Sequence, residues 1–425
     1  MASTFRSVRG NRNAQLFFAG LLVSNIGTWI QFTAVAILVD RLTGKTTAIG
    51  VLAALQFGPT LLLGAWAGAV ADRLDRLRVT ILTQSALAAQ GALLAILDLT
   101  GVITIEWIYT LTLVLGFISA FDNPARRGFV TELTPQDQIT NVVSLNTAVM
   151  TGARIFGPAI TAVLVGPLGT GWMFTLNAAS FAAIIGSLFL IDRSQLFAPP
   201  RAPKGGTPVR DALRYVRRSP TLLATFIVFT VVSTFGYNYN VSLPRMAREI
   251  WGDERWYGWV LTTISVGSMT GSLATASRRR VTVKWFAGMG LLGAIATLGL
   301  AWTPSPWLAM LVALPVGVGS AGFVTAMNAI SQEHCPPDMR GRILALTAVA
   351  FLGSYPLGGP ITGLVADNVG LEWSLAYGSV IAIASVVALA WWALGRSPDE
   401  SRYDALRRSL LGAPTPMAAG PADHP

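Results

Sequence analysis

The sequence predicts an all-α polytopic membrane protein, with twelve transmembrane helices in two six-helix halves. Three observations carry this: apolar spans of bilayer length, an alternation of basic and non-basic loops, and an internal repeat. Of 425 residues, 52% are apolar and only 12% charged, and the mean hydropathy is +0.55, a composition outside that of water-soluble domains. A bilayer core about 30 Å thick takes roughly 20 apolar residues per helix, so a dozen spans use about 240 residues and leave short loops. The 42 Gly and 23 Pro fall inside apolar stretches, where small side chains let helices approach closely. Cys335 is the single cysteine, which excludes a disulfide framework and a paired-cysteine metal or redox site.

The first apolar run, residues 16–38, follows Arg6, Arg9 and Arg12 and lacks a small-residue cleavage pattern. It is therefore expected to be a membrane helix and not a signal peptide. Further spans are expected at 47–71, 79–99, 105–121, 141–165 and 172–191, then at 221–243, 257–277, 285–302, 306–327, 343–366 and 374–394. Alternate loops between these spans hold 25 of the 31 Lys and Arg, the opposite loops hold five, and Arg154 lies inside the fifth span. Basic loops stay in the cytoplasm, so both termini are expected there. A missed or extra span would scramble the alternation, which therefore supports the count of twelve. The net charge of +10 is then explained by an anionic membrane face, with no nucleic acid as partner.

Residues 192–220 are polar, carry seven Lys or Arg, and include a Pro/Gly-rich run at 198–208. This stretch reads as a cytoplasmic linker between an N-terminal half, 1–191, and a C-terminal half, 221–394. Residues 395–425 read as a cytoplasmic tail, partly disordered. Matching features recur across the linker at one offset: Gly157 and Pro158 in span five are answered by Gly359 and Pro360 in span eleven, 202 residues later. Thr134 and Pro135 before span five face Pro336 and Pro337 before span eleven at the same offset. A parallel six-helix repeat with a binding site between its halves is a transporter architecture.

The loop between spans two and three carries Gly68, Asp72, Arg73 and Arg76. It resembles the signature loop of the major facilitator superfamily, in which a Gly is followed four residues later by Asp-Arg and then by a further Arg. Gly68 matches the position where helices two and eleven approach, Asp72 and Arg73 the acidic-basic pair, and Arg76 the later basic position. The departures are Val70 for Leu, Asp75 for Gly and Leu77 for a second basic residue. In the second half Gly271, Thr275 and Arg278–280 resemble the same loop with its Asp replaced by Thr275. A second run holds Asp122, Pro124, Arg126, Arg127, Glu132, Pro135, Asn141, Asn146, Arg154, Gly157 and Pro158, with Gly27, Trp29 and Gln31 in span one. It is similar to the branch of the superfamily that includes enterobactin-exporter-like and transmembrane secretion effector proteins. The resemblance, which reaches to about residue 394, implies a twelve-helix secondary transporter, most often an exporter.

Asp72, Arg73, Arg76, Asp122, Arg126 and Arg127 are the expected gate and charge relay, with Asp72, Arg76 and Asp122 clustered at the cytoplasmic ends of spans two to four. Such a cluster holds a gate by charge-assisted hydrogen bonds and releases it when a carboxylate is protonated; the alternative is topogenic charge solvated at the headgroups. Arg154 would cost at least about 2.5–3.5 kcal/mol in hydrocarbon, so it is expected to face the interior and contact an anion or take part in coupling, with Asp40, Asp98 and Glu106 as candidate partners. Gly157, Pro158, Gly359 and Pro360 are expected to form a hinge, or a static kink, because Pro breaks a helical hydrogen bond and Gly permits close contact. The resemblance puts the first and fourth helices of each half around the cavity. Asn25, Thr28, Trp29, Gln31, Tyr237, Asn238, Tyr239 and Asn240 are accordingly its expected lining. Amides mixed with rings suit an amphipathic substrate.

The reading that follows is proton-coupled efflux by alternating access of an amphipathic small molecule: a drug, siderophore or secondary metabolite. Uptake is the alternative, and a receptor or membrane enzyme the more remote one. An enzyme would need a nucleophile-base pair or metal-ligand spacing, and His334 and His424 are the only histidines. No phosphate-binding loop of an ATP-driven pump is present. No cofactor and no metal site are expected. The expected partners are the small-molecule substrate, protons and the lipid bilayer, with the chain acting as a monomer. The ratio of 28 Arg to three Lys points to a GC-rich bacterial genome, and so to the bacterial cytoplasmic (inner) membrane. Replacing Asp72 with Asn is expected to cut transport while leaving membrane insertion intact, which flux and membrane-fraction assays on the same cells check.

Overall fold

The computed structural model describes residues 7–71, 73–197, 208–336 and 339–394. Asp72, most of the Pro/Gly-rich run and the tail from residue 395 therefore lie outside the described residues. The described chain is helical and has no strand. The first half is α1 (Arg12–Thr43), α2 (Thr46–Ala71), α3 (Arg76–Leu99), α4 (Ile105–Glu132), α5 (Ile139–Leu168) and α6 (Thr170–Phe189). After a linker helix, α7 (Pro208–Arg218), come α8 (Pro220–Gly236), α9 (Tyr239–Glu249), α10 (Arg255–Ala276), α11 (Val283–Ala301), α12 (Pro306–Glu333), α13 (Arg340–Leu352), α14 (Ser354–Asn368) and α15 (Leu371–Leu394).

Eleven segments are long and apolar enough to cross a bilayer, among them α8 with α9 and α13 with α14, each pair a single interrupted span. The twelfth is α10, whose 22 residues include Ser, Thr and Gly on faces packed against α12 and α5. Its glycines explain the packing: a Cβ at Gly258 would lie 2.6 Å from the Pro158 carbonyl oxygen, and Gly267 and Gly271 sit against Leu314 and Val318. Local sequence sets the helix starts. Asn11 accepts from the Ala14 amide at 3.0 Å, Asp75 from Arg78 at 3.0 Å, and Ser219 and Ser305 precede Pro220 and Pro306 at the starts of α8 and α12. Gly44, at φ +60°, turns α1 into α2.

Three features differ from the sequence expectation. Span four does not stop near residue 121 but runs to Glu132, so Asp122, Arg126 and Arg127 are helical and not in a loop. An i, i+4 ion pair makes this tolerable by neutralising two of those charges inside the helix. Spans seven and eleven are broken at Tyr237–Asn238 and at Gly353, where the chain borders an internal cavity and not lipid. The linker contains α7, whose Ala212 and Val216 are buried in the core of the second half. Asp211 pairs with Arg342 at 3.6 Å, and the Tyr215 hydroxyl donates to the His334 carbonyl at 3.0 Å. The signal for α7 was present as Val209, Ala212 and Val216 on one helical face.

Two helix pairs form the main contact between the halves, α2 with α14 and α5 with α10. The repeated Gly-Pro pairs lie on these two seams. Pro158 of α5 meets Gly258 of α10, while Gly359 and Pro360 of α14 meet Gly50 of α2. Helices two and eleven thus approach at Gly50, not at Gly68, whose nearest neighbour is Pro124 of α4 at ordinary distance. The end of the bundle where α1 passes into α2 is the arginine-poor one. There Arg248 donates to Asp40 at 2.5 Å, Arg41 pairs with Glu254, and Asp367 accepts from the Thr46 and Thr47 amides, each at 2.9 Å. Exposed Trp107, Trp172, Trp302, Trp307 and Trp373 also lie at this end, as an interfacial belt would. Gly258→Val is expected to cost about 1–3 kcal/mol of packing and lower the melting temperature of the purified protein, whereas Gly186→Val, with nothing within 4 Å, leaves it unchanged.

Candidate functional site

A cavity of about 520 Å³ lies between the halves. Its size falls in the range of small-molecule sites, roughly 300–1,000 Å³. Asn25, Thr28 and Trp29 of α1 and Tyr237, Tyr239 and Asn240 at the break between α8 and α9 line it, as expected. Gln31 and Asn238 do not. Gln31 is buried between α3 and α6, accepting from Asn177 at 2.7 Å and donating to Gln90 at 3.2 Å. Asn238 donates to the Thr234 carbonyl at 2.5 Å, one turn back, and so satisfies the end of α8. A buried amide in an apolar helix must find such a partner, and a partner inside the protein removes it from the cavity.

Helices beyond the expected set also contribute. Gln56 and Phe57 come from α2, Met150 and Arg154 from α5, Ser265, Ser268 and Ser272 from α10, and Phe351 and Tyr355 from the interrupted span eleven. The serines of α10 recur every three to four residues on one face, a helical signal present in the sequence.

The charged groups are divided differently from the expected cluster. Asp122 is buried, 4% exposed, and lines the cavity. Its carboxylate accepts from Thr83 at 2.7 Å, from Gln84 at 2.8 Å and from Arg126 at 3.1 Å. Arg126 is itself buried and reaches Asn123 at 3.4 Å and the Met150 sulfur at 3.7 Å. Arg76 does not bond Asp122; it donates to Glu132 at 3.0 Å. Gly128 makes room for it, since a Cβ there would lie 2.6 Å from Arg76 Nε. Ten residues along α4 separate Glu132 from Asp122 by about 15 Å, which is why Arg76 and Asp122 take different partners. Arg73 and Arg127 are exposed, and Asp72 lies outside the described residues. Asp75, a departure from the signature loop, caps α3 and pairs with Arg193 at 3.0 Å. Partial burial raises its pKa, but the Arg78 amide and Arg193 outweigh burial and hold its carboxyl below the usual range.

The matching loop of the second half has Thr275 where the first has its acid. Thr275 is buried, donates to the Gly271 carbonyl at 2.9 Å and accepts from Trp285 Nε1 at 3.0 Å, while Arg278 stacks 3.4 Å from the Trp285 ring centroid. Arg154, halfway along α5, has no carboxylate partner among the described residues. Its guanidinium lies 4.8 Å from the Trp29 ring centroid. Of the acids considered for it, Asp40 is held by Arg248 and Asp98 accepts from Thr170 at 2.6 Å. Gly157 is the contact point of α5 with Trp29, and Thr161 donates to the Gly157 carbonyl at 3.1 Å.

Residues 2–411 match the family described as transmembrane secretion effector. The chain belongs to that family, within the major facilitator superfamily. Among its relatives, the staphyloferrin A transporter of Staphylococcus aureus is 23% identical, over 84% of this chain and 90% of that one. Macrolide efflux protein A of Streptococcus pyogenes is 22% identical, over 87% of this chain and 93% of that one. Among solved structures, a bacterial homolog of the human lysosomal transporter Spinster, inward-facing and unoccupied, superposes with a TM-score of 0.68 at 17% identity, over 95% of this chain and 99% of that one. This major facilitator chain is a transporter and not an enzyme, and its cavity sits where the two halves of the fold meet.

Within the transporter, Asp122 and Arg126 form one unit. Arg126→Met is expected to destabilise by about 3–5 kcal/mol by leaving a buried carboxylate short of its cation. The double variant with Asp122→Asn is expected to recover much of that loss, and thermal unfolding of the four members of the cycle checks it.

Proposed function

We propose that this transporter exports an amphipathic small molecule across a bacterial cytoplasmic membrane in exchange for protons. The observation that carries the reading is a cavity between the halves that holds a buried carboxylate-guanidinium pair on its wall, with ion pairs joining the halves at the arginine-poor end. The positive-inside rule turns the arginine-rich end, and both chain termini, toward the cytoplasm. The ion pairs of Asp40 and Arg41 with the second half then close the external side. No hydrogen bond or ion pair joins described residues of the two halves at the cytoplasmic end, so the cavity is poised to load from the cytoplasm. The macrolide efflux relative favours the same direction.

Asp122 is the proton site in this reading. Ionised, it is held by Arg126, Thr83 and Gln84. A proton on its carboxyl removes the charge that Arg126 neutralises and frees that guanidinium toward the cavity, where Arg154 is the other cation. The charge on Asp122 thus sets the charge that the substrate meets in the cavity, which links proton binding to substrate binding. The repeated Gly-Pro pairs on both seams serve as the pivots about which one half rocks on the other, and the chain acts as a monomer.

Inverted membrane vesicles carrying the protein, given an imposed pH gradient, are expected to accumulate members of a panel of amphipathic dyes and antibiotics, and to lose them on addition of a protonophore. Asp122→Asn is expected to abolish gradient-driven accumulation. Accumulation only in right-side-out vesicles would replace export by uptake, and accumulation indifferent to the protonophore would remove the proton.

A further inference from the structure

We propose that the cavity selects amphipathic anions, and that Arg154 is the seat of a substrate carboxylate; this rests on the transport reading and names its substrate class. The argument begins with charge. Among the described residues lining the cavity, the charged ones are Asp122, Arg126 and Arg154. Asp122 and Arg126 satisfy each other, and Asp122 accepts two further hydrogen bonds, so its carboxylate has little left to offer a cationic ligand. What remains is one positive charge, on Arg154, in a space walled by protein and lipid, where an unbalanced charge interacts more strongly than in water. A cation would enter against that charge with no counter-ion, and a neutral molecule would leave it unbalanced.

The setting of Arg154 suits a carboxylate. The guanidinium lies over the Trp29 ring, 4.8 Å from its centroid, and its planar fork of N–H groups matches the two oxygens of a carboxylate. Half a helix separates it from either end of α5, so the seat is at mid-depth and not at the headgroups. Two more lining residues have unused polar atoms: Tyr237 Oη and Asn240 Oδ1 are buried without a hydrogen-bond partner. Buried polar atoms without partners are uncommon in native structures, and here they border the same cavity as the unpaired cation. Phe32, Phe57 and Phe351 supply apolar wall for the rest of the molecule. A cation would be repelled by the charge, and a neutral sugar would leave it unused.

The test compares three probes of one shape and different charge: 2-naphthoxyacetate, its primary amide, and 2-(2-naphthoxy)ethylamine. Each is titrated by equilibrium dialysis against the full chain in phosphatidylcholine nanodiscs. The carboxylate is expected to bind about tenfold or more tighter than the amide, and the amine more weakly than either. Arg154→Gln is expected to equalise carboxylate and amide, and Arg154→Lys, which keeps the charge but not the planar fork, to retain part of the preference. A wild-type chain that binds the carboxylate no better than the amide, or binds none of the three, overturns the proposal. So does a folded Arg154→Gln chain with the preference intact. Should Arg154→Gln fail to fold, the wild-type comparison and Arg154→Lys decide. Preference for the anion without flux in proteoliposomes would sink the transport reading and leave the site, whereas protonophore-sensitive flux without charge preference would do the reverse.

Discussion

The halves of this transporter are joined along two helix seams, and the geometry of everything between them depends on how closely those seams pack. Lipid supplies no hydrophobic drive for one helix to leave it for another, so association rests on close contact and on polar groups that find each other. Gly50 against Gly359 and Gly258 against Pro158 provide the first. The second comes from Asp367, which crosses to the opposite half and accepts the amides of Thr46 and Thr47 at the start of α2, where a helix presents unpaired N–H groups and partial positive charge. Both kinds of contact sit toward the arginine-poor end. The cavity is what is left when two bundles pack most closely toward one end.

That cavity keeps its charge in a defined state. Placing Asp122 and Arg126 one turn apart on α4 lets the pair enter the membrane together, with Thr83 and Gln84 of α3 completing the carboxylate's shell. The breaks at Tyr237–Asn238 and Gly353 border the same space, and their freed backbone groups are answered locally, as by Asn238 on Thr234. Irregular backbone inside a bilayer is tolerated where protein or an enclosed cavity covers it. Polarity in this molecule is therefore concentrated between the halves and at the two ends, and the lipid-facing surface carries exposed Leu, Val and Trp instead.

Much of the fold was legible in the sequence because hydropathy and loop charge both act over whole segments. The helical fold with its apolar spans could be read from apolar runs and from where Lys and Arg fall. Element ends were less readable. Span four looked finished at residue 121 because charges begin at Asp122, yet with a pair at i, i+4 the helix continues to Glu132. The site was half readable: Trp29, Tyr237 and Tyr239 line the cavity, but Gln31, equally polar and on the same helix as Trp29, is consumed by Gln90 and Asn177. Nothing in a single sequence tells which of two buried amides has a partner on a neighbouring helix. The same limit hid the pairing of Arg76 with Glu132 and of Arg248 with Asp40, which are contacts 56 and 208 residues apart.

The ion pairs that close the arginine-poor end are interleaved with neighbours of opposite sign. Asp40 is followed by Arg41 in the chain, Arg248 also holds Glu249 at 3.2 Å, and Glu254 lies between Asp253 and Arg255, which pair with each other. Parting the halves would leave Arg248 with Glu249, a partner it already holds on its own helix. At Arg248 such an arrangement behaves as a latch and not as a lock: the cost of releasing Asp40 is offset in part by the ion pair that Arg248 keeps on its own helix. A transporter whose halves part at this end is served by that offset. Strengthening the latch, by removing Glu249 as a competitor for Arg248, would hold the molecule in one of its two shapes.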